Sequence, residues 1–129
     1  MFGGDQLRPN IHIVDMVEAY ICLLRADEGQ VVGQVLNAGY ENQPVKEIAN
    51  IVKEVVGPDV RLIATPTDDN RSYHISSEKI RNEIGFVPRN TIRDAVVGLL
   101  FAFQTNQLPN SLDDERYFNI KRMQSLNLK

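Results

Sequence analysis

An α/β fold, mostly helical with a few short strands, is what this sequence predicts, on three observations. Apolar residues recur at helical spacing in several stretches, above all at Val45, Ile48, Ala49, Val52, Val55 and Val56. The strand candidates are few and short, around residues 34–38 and 60–64. Gly57-Pro58 and Gly85 stand where two of the helices should stop. At 129 residues the chain fits one compact domain and leaves no room for two of ordinary size.

In chain order, residues 1–9 hold Gly3-Gly4 and Arg8-Pro9, the mark of a turn, and read as a domain entered midway. Ile11-His12-Ile13 alternates and predicts a short extended piece. Asp15 with Glu18 three residues on suggests a capping box. Val17, Tyr20 and Leu24 then predict a helix over residues 16–26, stopped near Gly29. Residues 34–38 predict a strand ending at Gly39, and Pro44 suits the first position of the helix that follows.

Residues 60–64 are β-branched and apolar and predict another strand, followed by a polar loop over 65–70 and an extended stretch over 71–75. Ser77 can cap a short helix reaching Ile84. Thr91 and Asp94 form a second capping box, with Ile92, Ala95, Val96, Leu99, Leu100 and Phe103 on one face behind it. A polar tail over 110–129 carries a small apolar cluster at Tyr117, Phe118 and Ile120.

Composition removes several function classes. A net charge of −3 with both signs interspersed argues against a nucleic-acid surface, and no stretch has the length of a membrane span. With no signal peptide at its start, the chain is expected in the cytoplasm. One cysteine, Cys22, excludes an internal disulfide and reads as a small buried hydrophobe. Asp68-Asp69 lacks further ligands at usable spacing, and His74 has only His12 as a second imidazole, so no metal is expected.

Two segments can carry chemistry. In the segment from Gly3-Gly4 to Arg8, glycines permit close backbone approach and the arginine offers a fork matched to phosphate oxygens; the competing reading is a hairpin with a surface arginine. His12, between two isoleucines, reads as a structural residue. The stretch from Asp68 to His74 places Arg71 in a loop behind a strand, where binding residues concentrate. No glycine-rich dinucleotide fingerprint and no phosphate-cradling loop ending in Lys-Ser or Lys-Thr is present. Tyr117 and Lys121 have the Tyr-x-x-x-Lys separation, but they lie in the polar tail.

The order of segments resembles the extended short-chain dehydrogenase/reductases, the NAD-dependent nucleotide-sugar epimerases and dehydratases. The resemblance is carried by Phe2-Gly3-Gly4-Asp5-Gln6-Leu7-Arg8-Pro9-Asn10-Ile11-His12-Ile13-Val14-Asp15-Met16, by Asn37-Ala38-Gly39 and by Pro44-Val45-Lys46-Glu47-Ile48-Ala49. It continues from Asp69-Asn70-Arg71-Ser72-Tyr73-His74 to Gly85-Phe86-Val87-Pro88, and Arg116-Tyr117-Phe118-Asn119-Ile120-Lys121 looks like a tail of some members.

By resemblance, residues 1–109 are the substrate-binding lobe of that fold without its main Rossmann domain, and 110–129 a carboxy-terminal tail. Arg8 and Arg71 would pinch the diphosphate of a UDP-, dTDP- or GDP-sugar, and Phe2 would line the base. Asp15 matches a helix cap. NAD or NADP belongs to the parent family, with no cofactor residue and no catalytic residue expected in this chain. The alternative is a stand-alone binding or assembly module, or a truncated gene product, without enzymatic activity. Either way a homo-oligomer is expected, with Val35, Leu36, Val17 and Leu24 among the residues left bare for a second copy.

Overall fold

In the computed structural model, residues 1–68 and 71–127 are described. The elements run β1 (Leu7–Asn10), α1 (Ile13–Arg25), α2 (Glu28–Val31), β2 (Glu41–Pro44), α3 (Val45–Val56), α4 (Glu78–Ile84), α5 (Ile92–Gln104), a 3-10 turn (Glu115–Tyr117) and α6 (Asn119–Ser125). The chain divides into two compact units, Met1–Gly98 and Leu99–Lys129, with the division inside α5. The small, mostly helical α/β character expected from the sequence is what the chain adopts.

The strands differ from expectation. β1 and β2 pair antiparallel in the register Leu7–Pro44, Arg8–Gln43, Pro9–Asn42 and Asn10–Glu41. Neither is apolar, and each contains a proline, which a strand tolerates when one edge needs no backbone donor. Residues 34–38, the expected strand, pair with no other strand among the described residues. Leu36 and Ala38 pack on the core instead, while the Lys79 ammonium bonds the Gln34 side chain at 2.9 Å and the Val35 carbonyl at 3.2 Å. Residues 60–64 form no strand either. Next to them an isolated parallel bridge joins Phe2 to Thr65.

α1 begins three residues before its expected start, because His12 and not Asp15 caps it. The His12 Nδ1 accepts a hydrogen bond from the Val14 N–H at 3.1 Å. Asp15 therefore lies inside the helix, 3% exposed, where its carboxylate does other work. Oδ2 accepts from the backbone N–H groups of Arg89 (3.1 Å) and Asn90 (2.8 Å), and Oδ1 from the Asn90 side-chain amide (2.8 Å). This ties α1 to the segment leading into α5. Gly29 does not stop α1, which ends at Arg25; Gly29 lies within α2.

The remaining helices follow their local signals more closely. α3 ends at Gly57 (φ 134°) and α4 at Gly85 (φ 72°), both backbones that a side chain would strain. The second capping box forms: the Thr91 N–H donates to Asp94 at 2.8 Å, and the Asp94 N–H to the Thr91 hydroxyl at 3.2 Å. Pro44 is the cap residue of α3, one position before its first turn. Ser77 occupies the cap position of α4 without capping it, because its hydroxyl is bonded to the backbone of Gly39 at 2.8 Å. On α5, Ile92, Ala95, Val96 and Leu100 are half-buried, whereas Leu99 and Phe103 are exposed.

The core of the first unit is small. Ala19, Ile80 and Phe86 are its fully buried apolar side chains among the described residues, with Ile11, Cys22, Leu36, Ala38 and Ile84 packed against them. In the second unit Arg116 pairs with Asp114 at 2.6 Å and Arg122 with Glu115 at 2.5 Å, and the Lys121 ammonium lies 4.2 Å from the centre of the Phe118 ring.

Candidate functional site

The two segments singled out in the sequence meet on one side of the sheet. β1 carries Leu7 and Arg8, and the chain at 71–75 runs beside it. The Leu7 N–H donates to the Ser72 hydroxyl at 3.0 Å, and the Tyr73 N–H reaches the Leu7 carbonyl at 3.5 Å. From β2, the Asn42 side chain binds both polar groups of the Ile75 backbone, at 3.1 and 3.0 Å, as a strand neighbour would. Residues 71–75 are thus held along the sheet by side chains without becoming a strand.

Arg8 is the link between the two segments. Its Nη1 donates to the Arg71 carbonyl at 2.5 Å and to its neighbour Leu7's carbonyl at 3.0 Å, while the guanidinium carbon sits 5.7 Å from the centre of the Tyr73 ring. Arg8 is half-buried and Arg71 exposed. Beside them opens a hollow of about 390 Å³ lined by Gly3, Gly4, Asp5, Gln6 and Ser72.

The glycines serve the turn. Gly3 has φ 66°, its N–H donates to the Thr65 carbonyl (3.1 Å), and the Gly4 N–H donates to the Gln6 side chain (2.6 Å). Both amides are already bonded, so recognition of an anion here falls to side chains. The Asp5 carboxylate at the rim is countered by the Lys46 ammonium at 2.7 Å; that hydrogen bond, then the charge attraction, holds Asp5 below its ordinary 3.8 and raises Lys46. Phe2 is 68% exposed, and its carbonyl accepts from the Gln6 amide at 3.0 Å.

Gln6, Ser72 and Tyr73 lie within the two stretches singled out from the sequence, though no contact was assigned to them there; Lys46 was not placed at this site. His12 is the cap of α1, as its structural reading required. Tyr117 closes the 3-10 turn and Lys121 lies over Phe118 on α6. Asp69, half of the Asp68-Asp69 pair, and Asn70 lie outside the described residues. Among the described residues no three His, Cys, Asp or Glu side chains gather at metal-binding range, and no helix is long and apolar enough to cross a membrane.

The chain is similar to nucleotide-sugar enzymes. It is 28% identical over 113 residues to UDP-glucose 4-epimerase of Corynebacterium glutamicum, covering 80% of this chain and 34% of that protein. It is 30% identical over 96 residues to UDP-glucuronic acid decarboxylase 6 of Arabidopsis thaliana, covering 72% of this chain and 27% of the relative. The chain thus spans about a third or less of the curated relatives it matches. Both partial matches support the resemblance to the NAD-dependent epimerase/dehydratase family. No family model matches the chain, and no solved structure matches it significantly.

Proposed function

We propose that this chain is the nucleotide-sugar-binding part of an NAD(P)-dependent epimerase/dehydratase, with Arg8 and Arg71 gripping the diphosphate of a UDP-, dTDP- or GDP-sugar. The observation that carries the reading is the bond from the Arg8 guanidinium to the Arg71 backbone beside the Gly3–Ser72 hollow. It brings together two arginines 63 residues apart in sequence. A guanidinium gives charge-assisted, bidentate hydrogen bonds to phosphate oxygens, and two of them suit a group with two negative phosphates. Phe2, at the open side of the same turn, offers an aromatic face to a base. Both relatives bear the names of UDP-sugar enzymes, which fits this ligand class.

In the parent family NAD(P) supplies hydride removal from the sugar. The described sheet is a two-stranded antiparallel pair without the parallel strand–helix–strand unit that holds a dinucleotide. No residue of this chain is assigned to the cofactor and none to proton transfer. On this reading a separate Rossmann portion supplies both, and the chain alone does not turn over substrate.

Calorimetric titration with UDP, dTDP and GDP tests the reading. One of them is expected to bind, with Arg8→Ala and Arg71→Ala each weakening it by about 1.5–3 kcal/mol, the worth of a charge-assisted contact. Binding unaffected by both substitutions, or no binding of any of the three, would overturn it. NAD titrated in the same way is expected to show no affinity in the micromolar range, about −8 kcal/mol or tighter.

A further inference from the structure

We propose that the Asp5 carboxylate, its charge balanced by Lys46, recognises the 2′-hydroxyl of the nucleoside pentose, so that the site takes ribonucleotide sugars in preference to deoxyribonucleotide ones. The inference rests on the reading of Arg8, Arg71 and Phe2 given above and narrows the ligand class within it. The hollow lined by Gly3, Gly4, Asp5, Gln6 and Ser72 has Arg8 beside it, and Phe2 immediately precedes Gly3 in the chain. With the diphosphate at the arginines and the base at Phe2, the part of a nucleotide that falls in the hollow is the pentose joining them. Gly3 and Gly4 present no side chain, which leaves a sugar ring room against the backbone.

The polar groups still open in the hollow decide what it can bind. Gln6 is used by the turn itself, its Oε1 accepting from the Gly4 N–H at 2.6 Å and its Nε2 donating to the Phe2 carbonyl at 3.0 Å. The Ser72 hydroxyl accepts from the Leu7 N–H at 3.0 Å and keeps its own proton to donate. Asp5 Oδ1 takes the Lys46 ammonium at 2.7 Å, and Oδ2 has no hydrogen bond among the described residues. The bond from Lys46, and then its charge, hold the Asp5 carboxyl below its ordinary 3.8, so at neutral pH it only accepts. A phosphate would repel it and offers it no donor, whereas a hydroxyl donates. Of the hydroxyls on a nucleotide sugar, those of the pentose lie between base and diphosphate, and a cis-diol can meet both oxygens of one carboxylate. An unbalanced carboxylate would still oppose the diphosphate at Arg8, three residues on. Lys46, held by its backbone N–H on the Gly4 carbonyl at 2.9 Å, cancels that charge while the Asp5 side chain stays 91% exposed.

Calorimetric titration with paired diphosphates, UDP against 2′-deoxy-UDP and GDP against 2′-deoxy-GDP, tests the proposal. The ribo form of the preferred base is expected to bind about tenfold more tightly than its deoxy form, the lower end of what one bond to a charged group contributes. Asp5→Ala is expected to abolish that preference. Lys46→Met is expected to weaken both forms by a similar factor and leave the preference intact. Both side chains are largely exposed, so each variant should keep the wild-type circular dichroism spectrum. Equal binding of ribo and deoxy forms by wild type, with Arg8→Ala still weakening both, overturns the pentose assignment and leaves the diphosphate reading standing. A preference that survives Asp5→Ala does the same. Lys46→Met binding as tightly as wild type overturns the balancing role of Lys46. Binding of none of the four overturns the diphosphate reading and this proposal together.

Discussion

The buried carboxylate of Asp15 takes two hydrogen bonds from Asn90, one from its backbone N–H and one from its side-chain amide, each at 2.8 Å. A third comes from the Arg89 N–H. One acidic side chain on α1 thereby fixes the segment that leads into α5, 75 residues further along. Removing it strands several donors in a place water reaches poorly. Asp15→Ala is expected to cost about 3 kcal/mol, because bonds to a charged group are worth about 1.5–3 kcal/mol each and the losses are not additive. Asp15→Asn keeps one acceptor oxygen and should lose less. Urea unfolding followed by circular dichroism measures both; equal stability of wild type and Asp15→Ala would show that the tie is dispensable.

The His12 cap is a separate, local contribution. His12→Ala leaves the Val14 N–H without its acceptor and should lower stability by about 1 kcal/mol. His12→Asn places a side-chain oxygen at the same position and should recover most of that loss. A recovery by Asn that does not occur would mean that the imidazole matters for something other than capping.

Gly39 tests the packing between the 34–39 segment and the residues before α4. A Cβ on Gly39 would lie 2.6 Å from Ile75 Cδ1 and 3.0 Å from Cγ1. Gly39→Ala is therefore expected to be destabilising by about 1–3 kcal/mol, the usual cost of overfilling a packed region. The double substitution Gly39→Ala with Ile75→Val removes the closest atom and should give part of that back. Thermal melts of the three proteins decide it.

The capping box of α5 makes a pH prediction. The Thr91 hydroxyl and backbone N–H, both donating to Asp94, hold its carboxyl below the ordinary 3.8. A depressed carboxylate stabilises the fold fully at pH values above 3.8, and that contribution disappears as the pH falls through the lower folded-state value. Asp94→Asn should therefore be less stable than wild type at pH 7. The gap should close below pH 3.8. Parallel urea titrations at several pH values measure the gap; a gap that stays constant into acid would contradict the assignment.

The helices were largely legible in the sequence because their signals are local. In α3 the apolar residues lie within one turn of each other and Gly57 stops the helix with a backbone that only glycine adopts freely. The Thr91–Asp94 box needs only residues three apart. The strands were not legible for the opposite reason. β1 and β2 are polar and proline-bearing, and they exist because each supplies the other's backbone partners from more than thirty residues away. Residues 34–38 have the composition of a strand and no strand beside them, so their apolar side chains settle on the core instead.

The same division runs through the candidate site. The sequence by itself determined the types of residue, Arg8 and Arg71 as anion-binding forks and Gly3-Gly4 as a turn. It also determined their order along the chain, from which the resemblance to nucleotide-sugar enzymes follows. Only the tertiary structure decided that Arg8 touches the Arg71 backbone, that the glycine amides are already bonded, and that Asp15 is a buried tie and not a cap. Apart from the Gly4 amide, which its near neighbour Gln6 satisfies, each of those outcomes depends on a hydrogen-bonding partner supplied by a distant part of the chain. A buried donor or acceptor must find such a partner or lose its water without compensation, and local pattern carries no record of which distant residue supplies it.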